Sequence, residues 1–162
     1  MKHNTFMKIA QVVAEESKCI SLKVGCVLVK GDRIISTGYN GTPRGFTNCC
    51  DAHIDGEFIR EGHHEWSNKH EVHSELNAIL HSTESLQGTT AYVTHSPCFN
   101  CLKHLITAGV VAIYFGEKYY RMTEESMKEC IDFCHKMDVS LLQQDTTGNY
   151  YLLTDLKESI YE

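Results

Sequence analysis

His73-Ser74-Glu75 is answered further along the chain by Pro97-Cys98-Phe99-Asn100-Cys101, and these two runs decide both the chemistry and the fold. Zinc takes imidazole and thiolate ligands, and a catalytic zinc keeps one of its positions for water. His73, Cys98 and Cys101 offer such ligands. Glu75 stands just past His73, better placed to handle the protons of that water than to serve as a further ligand. Both runs also read as helix starts. Leu76, Ile79 and Leu80 form an apolar face behind Glu75, and Cys98, Cys101, Leu102 and Leu105 share a face at helical spacing. Pro97 suits the position before a helix. Helix N-termini aimed at one metal favour thiolates over thiols. Alone, H-x-E is common on solvated helix faces, and C-x-x-C is often a structural zinc half-site or a redox pair. Their conjunction, in this order and each opening a helix, predicts a catalytic zinc centre.

The rest of the chain is consistent with a small enzyme. Its 162 residues predict a single domain over residues 1–162, with a core of its own. No apolar run is long enough to span a membrane, and the first residues lack a signal region, so the expected location is the cytoplasm. The eight cysteines are then metal ligands or buried thiols rather than a disulfide framework. The formal charge of −6, with no basic run, argues against a nucleic-acid partner.

Taken in order, residues 5–18 read as an amphipathic helix with Phe6, Ile9, Ala10 and Val13 packing inward. Val24 to Val29 and Arg33 to Gly38 form a hairpin turned at Gly31-Asp32. A shaped loop follows from Gly38 to Phe46. Residues 47–72 show no periodicity and read as a long loop rich in Cys, His and acids, functional or clamped by metal. Thr89 to Thr94, Val110 to Phe115 and Val139 to Leu142 read as further strands. Thr123 caps a helix bearing Met127, Cys130, Ile131 and Cys134, with the two cysteines as core thiols. Tyr150 to Leu153 is a weak candidate for extended structure, and Leu156 to Tyr161 for a short helix. The expected fold class is α/β, a three-layer α/β/α sandwich around a five-stranded mixed sheet. The metal then sits where helix N-termini meet strand ends.

With H-x-E, P-C-x-x-C and Gly38-Tyr39-Asn40-Gly41 all present, the chain resembles the deoxycytidylate (dCMP) deaminases, above all the bacteriophage members. Lys23-Val24-Gly25, Arg33 to Gly41, Asn48-Cys49-Cys50-Asp51, Glu65-Trp66-Ser67 and Glu71 to Leu80 carry the likeness. It covers residues 8 to about 116 and fades beyond. The family commonly has H-A-E, where this chain has Ser74. The resemblance implies a cytidine deaminase fold and zinc-dependent hydrolysis of dCMP to dUMP and ammonia, supplying dUMP for thymidylate synthesis. It also implies a homohexamer, activated by dCTP and inhibited by dTTP, with Mg2+ accompanying the triphosphate. Gly38, Tyr39, Asn40, Gly41 and Arg44 would help bind those effectors. If the chain is phage-encoded, the compartment is the host cytoplasm.

On this reading Glu75 carries protons from water to N3 of cytosine and then to the departing ammonia. Arg121, after Tyr119-Tyr120, is the candidate for the substrate phosphate, the alternative being a solvated arginine beside Glu124. Asn40 is a candidate for a sugar hydroxyl, while Ser96, beside Pro97, shapes the pocket edge and Tyr120 adjoins the phosphate side. The phage deaminases also carry a second, structural zinc, whose ligands fall on Cys19, Cys49, His63 and Glu71. Cys50, His64 and His70 are the neighbours most easily mistaken for them. Glu71 and His73 are expected to leave opposite sides of one short extended stretch, so that one segment can serve both metals. A nucleic-acid editor would need a basic groove. A free-nucleoside deaminase would have no need of Arg121. A zinc-stabilised binding module would have no use for Glu75.

Overall fold

The computed structural model describes residues 2–53 and 60–154. Its elements run α1 (Lys2–Ala14), β1 (Gly25–Lys30), β2 (Arg33–Tyr39), α2 (Cys49–Ala52), α3 (Arg60–His70) and α4 (Ser74–Leu80). They continue with β3 (Thr90–His95), α5 (Phe99–Ala108), β4 (Ala112–Glu117), α6 (Glu124–Lys136), β5 (Ser140–Gln144) and β6 (Tyr150–Leu152). The helix expected over Leu156 to Tyr161 lies outside the described residues. Among those described, no helix is long and apolar enough to cross a membrane.

The strands form one mixed sheet in the order β2-β1-β3-β4-β5-β6, with β3, β4 and β5 parallel and the other pairs antiparallel. The expected five strands are therefore six. The extra strand exists because Asp145 Oδ1 accepts hydrogen bonds from the backbone N–H groups of Thr147 and Asn149, closing a turn. Gly148 takes the left-handed conformation (φ 87°) there. β6 then pairs back onto β5, Leu142 opposite Leu152. β6 falls on the Tyr150 to Leu153 candidate, whose three paired residues carry too little alternation to have placed it in the sheet.

Period-two alternation splits β1 between two cores. Cys26 and Leu28 join the larger core under α4, α5 and α6, with Leu102, Leu105, Ile113 and Phe115. Val27 and Val29 join the smaller core under α1, with Met7 and Ala10. Full burial of each large side chain stabilises the fold by about 1.5–3 kcal/mol. Cys130 and Cys134 are core thiols, as the sequence predicts. Thr123 caps α6 by accepting from Ser126 N–H. The segment read as a loop differs most, since it contains α2 and α3. The α3 sequence, REGHHEWSNKH, has no aliphatic side chain, so no apolar stripe could announce it.

One close approach fixes the site. A Cβ on Gly38 would lie 2.2 Å from the carbonyl oxygen of Ser74 and 2.4 Å from the backbone nitrogen of Ala78. β2 and α4 thus touch backbone to backbone, and only glycine fits. Gly38→Ala should push α4 off the sheet at a cost of about 1–3 kcal/mol. Denaturant unfolding measures it, and an unchanged midpoint would show that α4 adjusts freely.

Candidate active site and metal centres

His73 is the N-cap of α4 and Cys98 the N-cap of α5, so both catalytic-zinc runs sit where helices begin. His73 Nδ1 lies 3.2 Å from Cys101 Sγ and 3.6 Å from Cys98 Sγ. Imidazole and thiolate ligands around a tetrahedral zinc are spaced about 3.5 Å apart. The Cys101 N–H points at Cys98 Sγ, 3.4 Å away. The Cys98 thiol is pulled down to about 4, first by the hydrogen bond from Cys101 and then by that from His73. Cys101 is pushed up, first by its bond to Cys98 and then by burial. A metal ion would displace the thiol protons. Glu75 is 4% exposed, and burial raises its carboxyl, with Cys101 and His73 opposing. A raised carboxyl brings the group nearer the working pH, which favours proton transfer.

The second expected ligand set also comes together. One donor atom from each of Cys19, Cys49, His63 and Glu71 lies within 4.8 Å of the others, and all four residues are buried. His63 Nε2 stands 3.2 Å from Cys49 Sγ and 3.8 Å from Cys19 Sγ. Burial raises both thiols, Cys49 to about 12, and lowers His63. Glu71 Oε2 accepts from Ser67 at 2.5 Å, while Glu71 Oε1 is buried without a hydrogen-bond partner among the described residues. An orphaned carboxylate oxygen facing two thiols and a neutral imidazole fits a closed, structural zinc. Cys50 is exposed, and His64 and His70 lie outside the group.

Members of both groups, Cys19, His63 and Glu71 of one and His73 and Cys98 of the other, line one cavity of about 400 Å³, within the range of small-molecule sites. Asn40, Ser96, Tyr120 and Arg121 line it as well. Asn40 spends its amide largely on the main chain, accepting from Val24 N–H and donating to the Leu22 carbonyl. Ser96 Oγ accepts from Tyr119 N–H at 2.8 Å, pegging the loop that carries Arg121. The Arg121 guanidinium lies 5.7 Å from the centre of the Tyr120 ring. Gly38, Tyr39, Gly41 and Arg44 stand outside the cavity. Gly41 pairs with Val72, and the Tyr39 carbonyl accepts from Asn77. His64, Ser67 and Asn68 of α3 line the cavity and were not singled out for it in the sequence. Their i, i+3, i+4 spacing was the available signal, hidden because the helix itself was not read.

A family model described as the cytidine and deoxycytidylate deaminase zinc-binding region matches residues 1–117. The chain belongs to this deaminase family. It is 41% identical to a deoxycytidylate deaminase of Enterobacteria phage T4, over 74% of this chain and 79% of that one. A deoxycytidylate deaminase of Saccharomyces cerevisiae is 38% identical, over 76% of this chain and 39% of that one. Among solved structures, the dCMP deaminase from the cyanophage S-TIM5 in complex with dCMP and dUMP is 32% identical with a TM-score of 0.68. That likeness covers 86% of this chain and 94% of the cyanophage protein. The deaminase fold and a zinc-binding donor set are thus both in place.

Within that family pattern Ser74 is this chain's departure. Its side chain is 1% exposed and its hydroxyl finds no hydrogen-bond partner among the described residues. A buried unpaired hydroxyl costs about 1–3 kcal/mol. Ser74→Ala should therefore raise the unfolding free energy by about 1 kcal/mol. A lowered melting midpoint would show that the hydroxyl has a partner in solution.

Proposed function

We propose that this chain hydrolyses dCMP to dUMP and ammonia, supplying dUMP for thymidylate synthesis. The observation that carries the reading is buried Glu75 beside the His73, Cys98 and Cys101 donors, in a cavity that also presents Arg121. The names of the phage relatives and the bound nucleotides of the cyanophage structure support dCMP as substrate. Zinc held by His73, Cys98 and Cys101 would act as a Lewis acid that activates water at neutral pH. Glu75 accepts the proton that this water gives up and delivers it to N3 of the cytosine. As the water oxygen bonds to C4, Glu75 takes the second proton from that new hydroxyl, leaving the C4 carbonyl, and hands it to the C4 amino group; the C4–N bond breaks and ammonia leaves. Arg121 holds the 5′-phosphate, and Asn40, with one amide hydrogen still free, meets the sugar. Ser96 and Tyr120 set the loop that carries Arg121.

Cys19, Cys49, His63 and Glu71 hold a second, structural zinc. Residues 1–162 act as one domain, working in the cytoplasm as a homohexamer. Exposed Tyr39 and Arg44 support an effector contact, with dCTP activating, dTTP inhibiting and Mg2+ accompanying the triphosphate. Gly38 and Gly41 would pass that contact on, because they pack against α4 and the stretch before it, and Asn40 would do so through its bonds to Val24 and Leu22.

Ammonia release should be fast from dCMP and slow from deoxycytidine or single-stranded oligonucleotides, and dCTP should raise it. Preference for deoxycytidine would overturn the substrate assignment. Glu75→Gln should keep its metal and lose about 10²–10⁴-fold in turnover. Arg121→Ala should weaken dCMP far more than deoxycytidine, whereas equal weakening would make Arg121 a scaffold residue. Elemental analysis should find two zinc ions per chain, of which Cys49→Ser loses one.

A further inference from the structure

We infer that the second metal centre sets the affinity for nucleotide, acting through α3. The inference rests on the two-zinc dCMP deaminase reading above. α3 has a single large apolar side chain, Trp66, and no aliphatic one. An eleven-residue helix of this kind is marginal in water and has no stripe to bury. Among the described residues three anchors stand out. His63 enters the metal group, Glu71 follows the last turn into the same group, and the Trp66 ring stacks among His53, His70 and Phe46. Two of these three anchors are metal donors.

The same helix turns His64, Ser67 and Asn68 toward the cavity that holds Glu75. Ser67 belongs to both sides. It lines the cavity, and its hydroxyl donates to Glu71 Oε2, which leaves Oε1 free for the metal group. Groups that orient a metal's ligands shape its affinity. With metal on its four donors, α3 is pinned and presents its polar face to the nucleotide. Without it, two thiols, an imidazole and a carboxylate are buried together with no cation between them, and the wall loses its position. Coupling of this kind is reciprocal, so nucleotide must tighten metal retention by the factor by which metal tightens nucleotide.

The test uses dUMP and the whole chain. Calorimetric titration with dUMP compares the two-zinc protein with Cys49→Ser carrying one zinc, with a melting curve taken to establish folding. The variant should bind dUMP at least about fivefold more weakly. Equal affinities would mean that the Trp66 stack alone holds the wall, and would overturn the inference. A second measurement follows zinc release from the unaltered protein to a chromogenic chelator, with and without saturating dUMP. The second centre's release phase is the one that survives in Cys98→Ser, so it can be assigned even if Cys49→Ser does not fold. dUMP should slow that phase by a similar factor, and an unchanged rate overturns the coupling. A two-zinc protein that does not bind dUMP, or a protein with one zinc, overturns the functional reading and the coupling with it. Unequal metal stoichiometry and absent binding are thus distinguishable from a failure of the coupling alone.

Discussion

The short extended stretch from Glu71 to His73 is the constraint on which the site depends. Gly41 and Val72 exchange both backbone hydrogen bonds, at 3.1 and 2.8 Å, so the stretch is held straight against the end of β2. Side chains two apart on an extended chain share a face. Glu71 and His73 therefore look into the same cavity from one face of the stretch, not from opposite sides as expected from the sequence, one toward each donor group. The next residue starts α4, and α4 can lie this close to β2 only because Gly38 has no side chain. Position along one strand edge is converted into the spacing of two metal centres and the placement of Glu75.

Charge makes this arrangement costly unless cations complete it. Cys19 and Glu71 on one side, and Cys98 and Glu75 on the other, line a single cavity, with Cys49 and Cys101 in the donor groups behind them and two imidazoles among them. Burial is the leading cause of the raised Cys19, Cys49 and Glu75 values. In the first centre Cys98 moves down and Cys101 up, because the hydrogen bond between them favours the charged form of one and the neutral form of the other. Buried anionic donors are stable when paired or bound to metal. The zinc-binding character of the family and the donor geometry thus have one electrostatic origin.

How much of this could be read in the sequence follows from how local each feature is. His73 with Glu75, and Cys98 with Cys101, are close in the chain because a helix start confines them, so their motif survives as text. The strands of the larger core announce themselves through runs such as Ala112–Phe115. α3 stayed hidden because it is anchored by metal donors and one indole rather than by an apolar stripe. The sixth strand was legible only as a weak candidate for extended structure, not as part of the sheet, because its register comes from the Asp145 turn and only three residues alternate. Cys19 and Cys49 could be assigned only through family resemblance, since nothing in their spacing says that they meet.

Ser96 shows how far the cavity walls are subordinate to the metal-bearing stretches. Its place two residues before Cys98 suggests a contact at the pocket edge, yet its hydroxyl is already engaged. It accepts from Tyr119 N–H and donates toward Met122 Sδ, gripping both ends of the segment that contains Arg121. Ser67 has the same relation to Glu71 on the opposite wall. On each wall a hydroxyl thus ties the lining to a residue at or beside one of the donor groups. A shift in either donor group moves a cavity wall as well as a donor, so the two share one scaffold.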